Sequence, residues 1–233
     1  MEIGAYQIES QLGSGGMGTV WLATAVRDTP PVKAGTKVAI KIIHPHLLAR
    51  PDTRERFLRE AEVGGRVEHE NVVRTLAVGA EETEDGPVEF LVMEYVEGRT
   101  LADLIDDLGT VPEALILEIA AQTAAGLQAI HESGVVHRDL KPENVLVTSD
   151  HVVRIMDLGV ARLLDGDANI TAQGEFTGSL RYAAPEQFRD EPVGPQVDLY
   201  ALGILFHELA TGENPFRRNG AWPSAVPPLP DPS

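Results

Sequence analysis

The sequence predicts an α+β fold, a mainly β first part carrying one helix followed by a mainly helical part. Three observations carry that expectation. Up to about residue 95, apolar and β-branched residues fall in short runs separated by glycine, proline and acidic turns. From Leu101 onward the apolar spacing becomes helical, over 101–108, 112–132 and 196–211. Between the last two lies His137-Arg138-Asp139-Leu140-Lys141-Pro142-Glu143-Asn144, a polar run that belongs to neither pattern. The expected division is 1–95 for the β-rich part, 96–216 for the helical part and 217–233 for a proline-rich tail.

A chain of 233 residues suits one large domain or two small lobes sharing a cleft and buries roughly 70% of its unfolded surface, so its core needs no covalent staple. There is no cysteine, hence no disulfide framework and no thiolate metal site, which agrees with a reducing cytoplasm. The formal net charge of −17 argues against nucleic acid or an anionic membrane as partner, because phosphate-rich surfaces would be repelled. No apolar run approaches the ~18 residues of a membrane span, and Met1-Glu2-Ile3-Gly4 does not open a secretory leader. A soluble chain is expected.

In order, strands are predicted at 6–12 and 19–26, flanking Gly13-Ser14-Gly15-Gly16-Met17-Gly18. Alone, that G-x-G-x-x-G fits a dinucleotide fold, a phosphate-covering hairpin or a plain turn. The run after it, Val20-Trp21-Leu22-Ala23-Thr24-Ala25-Val26, is β-branched and apolar, which favours a hairpin whose glycines let backbone N–H groups approach an anion. After an exposed connection over 27–37, Val38-Ala39-Ile40-Lys41-Ile42-Ile43 reads as a strand with a lysine among apolar neighbours. His44 and His46 flank Pro45 without further ligands nearby and read as linker residues.

Asp52 is a candidate N-cap with Glu55 completing a capping box, and the helix behind it places Phe57, Glu60, Ala61 and Gly64 on one face. Glu60 is thus an acid on an otherwise apolar or small stripe. Strands are expected at 72–78 and 88–95, followed by a connecting Met93-Glu94-Tyr95-Val96-Glu97-Gly98. The helix over 112–132 carries a buried stripe of Ile116, Ile119, Ala120, Thr123, Leu127 and Ile130, and Gly134 ends it. Residues 165–176 are polar and glycine-containing, with Thr171 and Thr177 as candidate modification sites.

The polar run sets an acid, a lysine and an amide on one loop, and Asp157-Leu158-Gly159 returns a second carboxylate after strand-like 145–147 and 152–156. Phosphoryl transfer needs those parts: a carboxylate for the proton of an attacking hydroxyl, a cation for the moving group, and oxygen ligands for magnesium.

In the order H-R-D-x-x-x-x-N then D-x-G, with V-A-I-K, the glycine-rich turn and Ala184-Pro185-Glu186, residues from about Tyr6 to Phe216 resemble a bacterial eukaryotic-like serine/threonine protein kinase. The resemblance implies a bilobal protein-kinase-like fold, with a small, mainly antiparallel β lobe carrying one helix, a larger, mainly helical lobe and the hinge between them near residue 95. It also implies transfer of the ATP γ-phosphate, with Mg²⁺, to Ser/Thr hydroxyls of protein substrates. Asp139 would take the hydroxyl proton, Lys141 would steady the phosphoryl group, and Asn144 and Asp157 would bind the metal. Lys41, fixed by Glu60, would hold the α- and β-phosphates beneath Leu12, Gly13, Ser14, Gly15, Gly16, Met17 and Gly18. Backbone at Glu94 and Val96 would meet the adenine edge, and Val20, Ala39 and Leu146 its faces, although each of these also fits as plain core. Arg138 would pair with a phosphate on the segment before Ala184, and Ser179 keeps a hydroxyl near the loop. Asp198 would brace the loop backbone. Autophosphorylation is implied, with a homodimer as its arrangement in trans. Leu158 replaces the family's usual Phe, and the large lobe is expected to be incomplete, since that family's lobe normally continues with several more helices. The rival functions are an ATP-binding scaffold without catalysis and a small-molecule phosphotransferase.

Overall fold

The computed structural model describes residues 1–15, 18–45, 61–62, 64–83, 86–158, 181–188 and 193–216. Six strands form one antiparallel sheet in the order β1-β2-β3-β4-β6-β5: β1 Glu2–Ile3, β2 Tyr6–Gly15, β3 Gly18–Ala25, β4 Lys37–Ile43, β5 Thr75–Thr83 and β6 Gly86–Glu94. Register shifts at Ile8/Ser10 and Gln11/Gly13 bend β2 within its hairpin with β3.

The two-residue period of β4 sorts its side chains by face. Val38 and Ile40 are fully buried in a cluster with Ala23, Val92, Tyr6 and Phe90, where the last two rings meet edge-on at 6.4 Å. Ala39 and Lys41 point to the opposite face. The glycine at the start of β3 is required by packing, since a Cβ on Gly18 would lie 2.1 Å from the Ile42 carbonyl oxygen.

The second lobe opens with β7 Arg99–Thr100, which joins β8 Val145–Val147 and β9 Val153–Ile155 in a small antiparallel sheet. Helix α1, Leu101–Leu108, starts on a Thr100–Asp103 capping box. Helices α2, Glu113–Glu132, and α3, Gln196–Thr211, pack through Ile119, Leu127, Ile130, Leu205 and Leu209, all essentially without exposure. Gly212, at φ 74°, closes α3 in the left-handed conformation that glycine adopts without penalty.

The observed α1 and α3 coincide with the expected spans, and α2 begins one residue late because Pro112 occupies its N-cap position. Strand β5 starts at Thr75 instead of 72. Residues 71–73 are drawn away to β9: Ile155 N–H donates to the Asn71 carbonyl at 2.9 Å and Val73 N–H to the Ile155 carbonyl at 2.8 Å. This short parallel bridge ties the two lobes behind the cleft. The expected helix start at Asp52 and Glu55, with Phe57 and Glu60, lies outside the described residues. So do Gly16, Met17, His46, Gly159, Thr171, Thr177, Ser179 and the proline-rich tail. Ala61 is described and buried, and Gly64 faces Leu158.

Candidate active site

Where β2, β3, β4 and β6 face the loops around β8 and β9, the fold leaves a cleft of about 830 Å³. Its inner wall is apolar, built on buried Ala39, Val73 and Met93 with Val20, Val96 and Met156 packed against them. Glu94 ends β6 at the cleft's edge, and its carboxylate is fixed from two sides. It accepts the backbone N–H of Arg74 at 2.8 Å and pairs with the guanidinium of Arg154 on β9. Gly13 and Gly15 line the roof, and a Cβ on either would meet nothing within 4 Å. Packing therefore does not require glycine at those two positions, unlike Gly18.

Lys41, 5% exposed, reaches across to the second lobe, and its Nζ lies 2.8 Å from Asp157 Oδ1. Burial alone would raise the Asp157 carboxyl. The Lys41 ammonium and the hydrogen bond it donates, helped by Lys141, outweigh that and hold it below its ordinary value. Asp157 sits at φ 59°, in the left-handed region that non-glycine residues rarely adopt.

Opposite stands the loop that follows α2. Asp139 Oδ2 is 2.9 Å from Lys141 Nζ and accepts Asn144 Nδ2–H at 3.1 Å; the same Nδ2 donates to the Asp139 carbonyl at 2.8 Å. Beneath this group, Asp198, fully buried on α3, accepts the backbone N–H groups of His137 at 2.8 Å and Arg138 at 2.7 Å, and its Oδ2 meets His131 Nε2 at 2.7 Å. Those bonds hold Arg138 at φ 65°. Buried His137 joins the two loops: its Nδ1 accepts the Asp139 N–H at 3.3 Å, which leaves Nε2–H to donate to the Met156 carbonyl at 2.8 Å.

The nucleotide-binding, catalytic and metal-binding residues named from the sequence that lie among the described residues all line this one cleft, from Leu12, Ser14 and Lys41 above to Leu146, Asn144 and Asp139 below, while Asp198 and Arg138 lie outside its lining. Gly16, Met17 and Glu60 lie outside the described residues. Val73 and Met156 on the apolar wall and His131 beneath Asp198 were not named from the sequence. Each is brought in by a long-range contact that leaves no local pattern. The direct contact of Lys41 with Asp157 was likewise not expected.

The Protein kinase domain family model matches residues 6–224. The chain is 36% identical over 211 residues to "Serine/threonine-protein kinase PknB" of Mycobacterium leprae, covering 91% of this chain and 33% of that protein. It is 40% identical over 218 residues to "Serine/threonine-protein kinase pkn2" of Myxococcus xanthus, covering 91% of this chain and 25% of that one. Among solved structures, a mutant of the Mycobacterium tuberculosis PknI kinase domain superposes with a TM-score of 0.71 at 26% identity, over 96% of this chain and 80% of that one. The chain belongs to the protein kinase domain family. It spans about a third or less of the length of the first two relatives. No helix among the described residues is long and apolar enough to cross a membrane.

Proposed function

We infer that this chain transfers the γ-phosphate of ATP to serine or threonine hydroxyls of proteins. The observation that carries the reading is the placement of Asp139, with Lys141 and Asn144 on its Oδ2, in the same cleft as the Lys41–Asp157 pair. The adenine lies against the apolar wall of Val20, Ala39 and Leu146, with its edge on the backbone of Glu94 and Val96. The glycine-rich hairpin covers the phosphates, and Lys41 holds the α- and β-phosphates. Glu60 is the residue proposed to fix Lys41 once nucleotide is bound.

The acceptor hydroxyl docks beside Asp139, which orients it and takes its proton on Oδ1. The hydroxyl oxygen forms the new bond to the γ-phosphorus, the bond to the bridging oxygen breaks, and ADP leaves with that electron pair. Lys141 neutralises charge on the moving group. The transition state is loose, so rate comes from positioning and charge neutralisation.

Asn144 and Asp157 fit magnesium. Asp157 is held ionised, and the Asn144 amide nitrogen is committed to Asp139, so oxygen is what both offer a cation. One carboxylate and one amide oxygen in the same cleft suit a metal otherwise held by substrate phosphates and water. When bound, magnesium supplies charge neutralisation at the phosphate oxygens.

Arg138 presents a buried Nε without a partner among the described residues, which supports its pairing with a phosphorylated hydroxyl on the segment before Ala184. A transient homodimer is the arrangement that would let one copy modify another. The need for ATP supports a cytoplasmic location. Intact Lys41, Asp139 and Asp157 favour transfer over a nucleotide-binding scaffold. Incubation with γ-labelled ATP, Mg²⁺ and a basic acceptor protein tests the reading. Label is expected on serine and threonine and is lost with EDTA; absence of label, or label on tyrosine alone, contradicts it.

A further inference from the structure

Gln187 lies in the short 3-10 turn Pro185–Phe188 and is 6% exposed. Its Oε1 accepts the Ala184 N–H at 2.7 Å, and its Nε2 donates to the carbonyl oxygen of Arg138 at 3.0 Å. That carbonyl belongs to the peptide leading into Asp139, whose N–H is held by His137 Nδ1 at 3.3 Å. Both polar atoms of the peptide plane in front of the proposed base are therefore bonded, one by the loop itself and one by Gln187.

The residue so held is strained. Arg138 sits at φ 65°, its N–H on Asp198 and its carbonyl on Gln187. A non-glycine residue persists in that conformation only where its surroundings enforce it. Release of the carbonyl would let the plane rotate, and the Cα–Cβ direction of Asp139 would turn with it. Displacement of a reacting group by about 1 Å can cost ~10²-fold in rate.

We propose that Gln187 is a positioning residue for Asp139, acting through the Arg138 carbonyl, a role that rests on the kinase reading above. Its amide has the required donor and acceptor at once, which neither a carboxylate nor an aliphatic side chain of the same length supplies. Gln187 does not line the cleft. Its effect falls on turnover and not on nucleotide affinity.

Gln187→Met removes both bonds at similar length, and Gln187→Glu keeps an acceptor for Ala184 N–H while losing the donor to Arg138. Each is measured in the full chain for kcat, KM for ATP and thermal unfolding, alone and combined with Asp139→Asn. The expected result is a fall in kcat of about tenfold in both variants with KM for ATP within about twofold. In the Asp139→Asn background neither variant lowers the residual rate further, because a group acting through Asp139 has nothing left to position. Unchanged kcat, a similar loss added to that of Asp139→Asn, or unfolding of both variants overturns the inference. An inactive wild type would sink the kinase reading itself, a failure distinct from an active wild type indifferent to Gln187.

Discussion

Lys41 and Asp157 come from different lobes, and their side chains meet at 2.8 Å across the floor of the cleft. The lysine is almost fully buried, so its charge depends on the carboxylate for its solvation. Breaking a buried pair from one side costs about 3–5 kcal/mol, and Asp157 keeps enough solvent contact to place this case near ~2 kcal/mol. Lys41→Met should lower stability at neutral pH by that amount and abolish phosphate transfer.

The same pair fixes a pH dependence. The Asp157 carboxyl is depressed in the folded chain, so its contribution is fully present above the unfolded carboxyl value of ~3.9. It is lost as pH falls through the lower, folded value. In Lys41→Met, burial is opposed only by the weaker pull of groups such as Lys141, and the carboxyl rises. Urea titrations from pH 7 down to pH 4 should show the gap between wild type and variant largest at pH 7 and narrowing with acid. A gap that widens on acidification would reject the ion pair as its source.

Gly18 and Gly13 should respond differently to the same change. Gly18→Ala places a methyl against the Ile42 backbone and should cost ~2 kcal/mol or more in thermal unfolding. Gly13→Ala meets open space and should unfold within about 0.5 kcal/mol of wild type. Its cost should appear as a rise of roughly tenfold in KM for ATP, if backbone approach to phosphate is what the glycine serves. Equal unfolding temperatures for the two variants would contradict this division.

Asp198 supports the loop from below. Asp198→Ala leaves the N–H groups of His137 and Arg138 without their acceptor in a buried setting and removes the partner of His131. A loss of ~3 kcal/mol is expected, with kcat reduced in the fraction that remains folded. Hydrogen exchange at the amides of His137 and Arg138 should rise before that of α2. Unchanged protection there would show that the carboxylate does not hold the loop.

Much of this architecture was legible in the sequence because its signals are local. Helices α1 and α3 follow from apolar spacing, and Lys41 stood out because β4 is otherwise apolar. Two-residue β7 is too short to show a period, and β5 began late because residues 71–73 pair with β9 instead. At the site, the loop from His137 to Asn144 announced its chemistry by residue type. Of the contacts that hold it, the brace from Asp198 followed from the family resemblance, and the others left no signal. His131 and Gln187 lie far along the chain from the groups they secure, and ordinary helix and turn positions give no hint of a partner elsewhere.

In the proposed reaction Asp139 is the group that receives the acceptor proton. Single-turnover transfer of the γ-phosphate to a serine- or threonine-containing acceptor, compared between wild type and Asp139→Asn at saturating ATP and Mg²⁺, tests it most directly. A fall of at least ~10²-fold in the variant with ATP binding retained is the predicted result. Equal rates in the two proteins would contradict it.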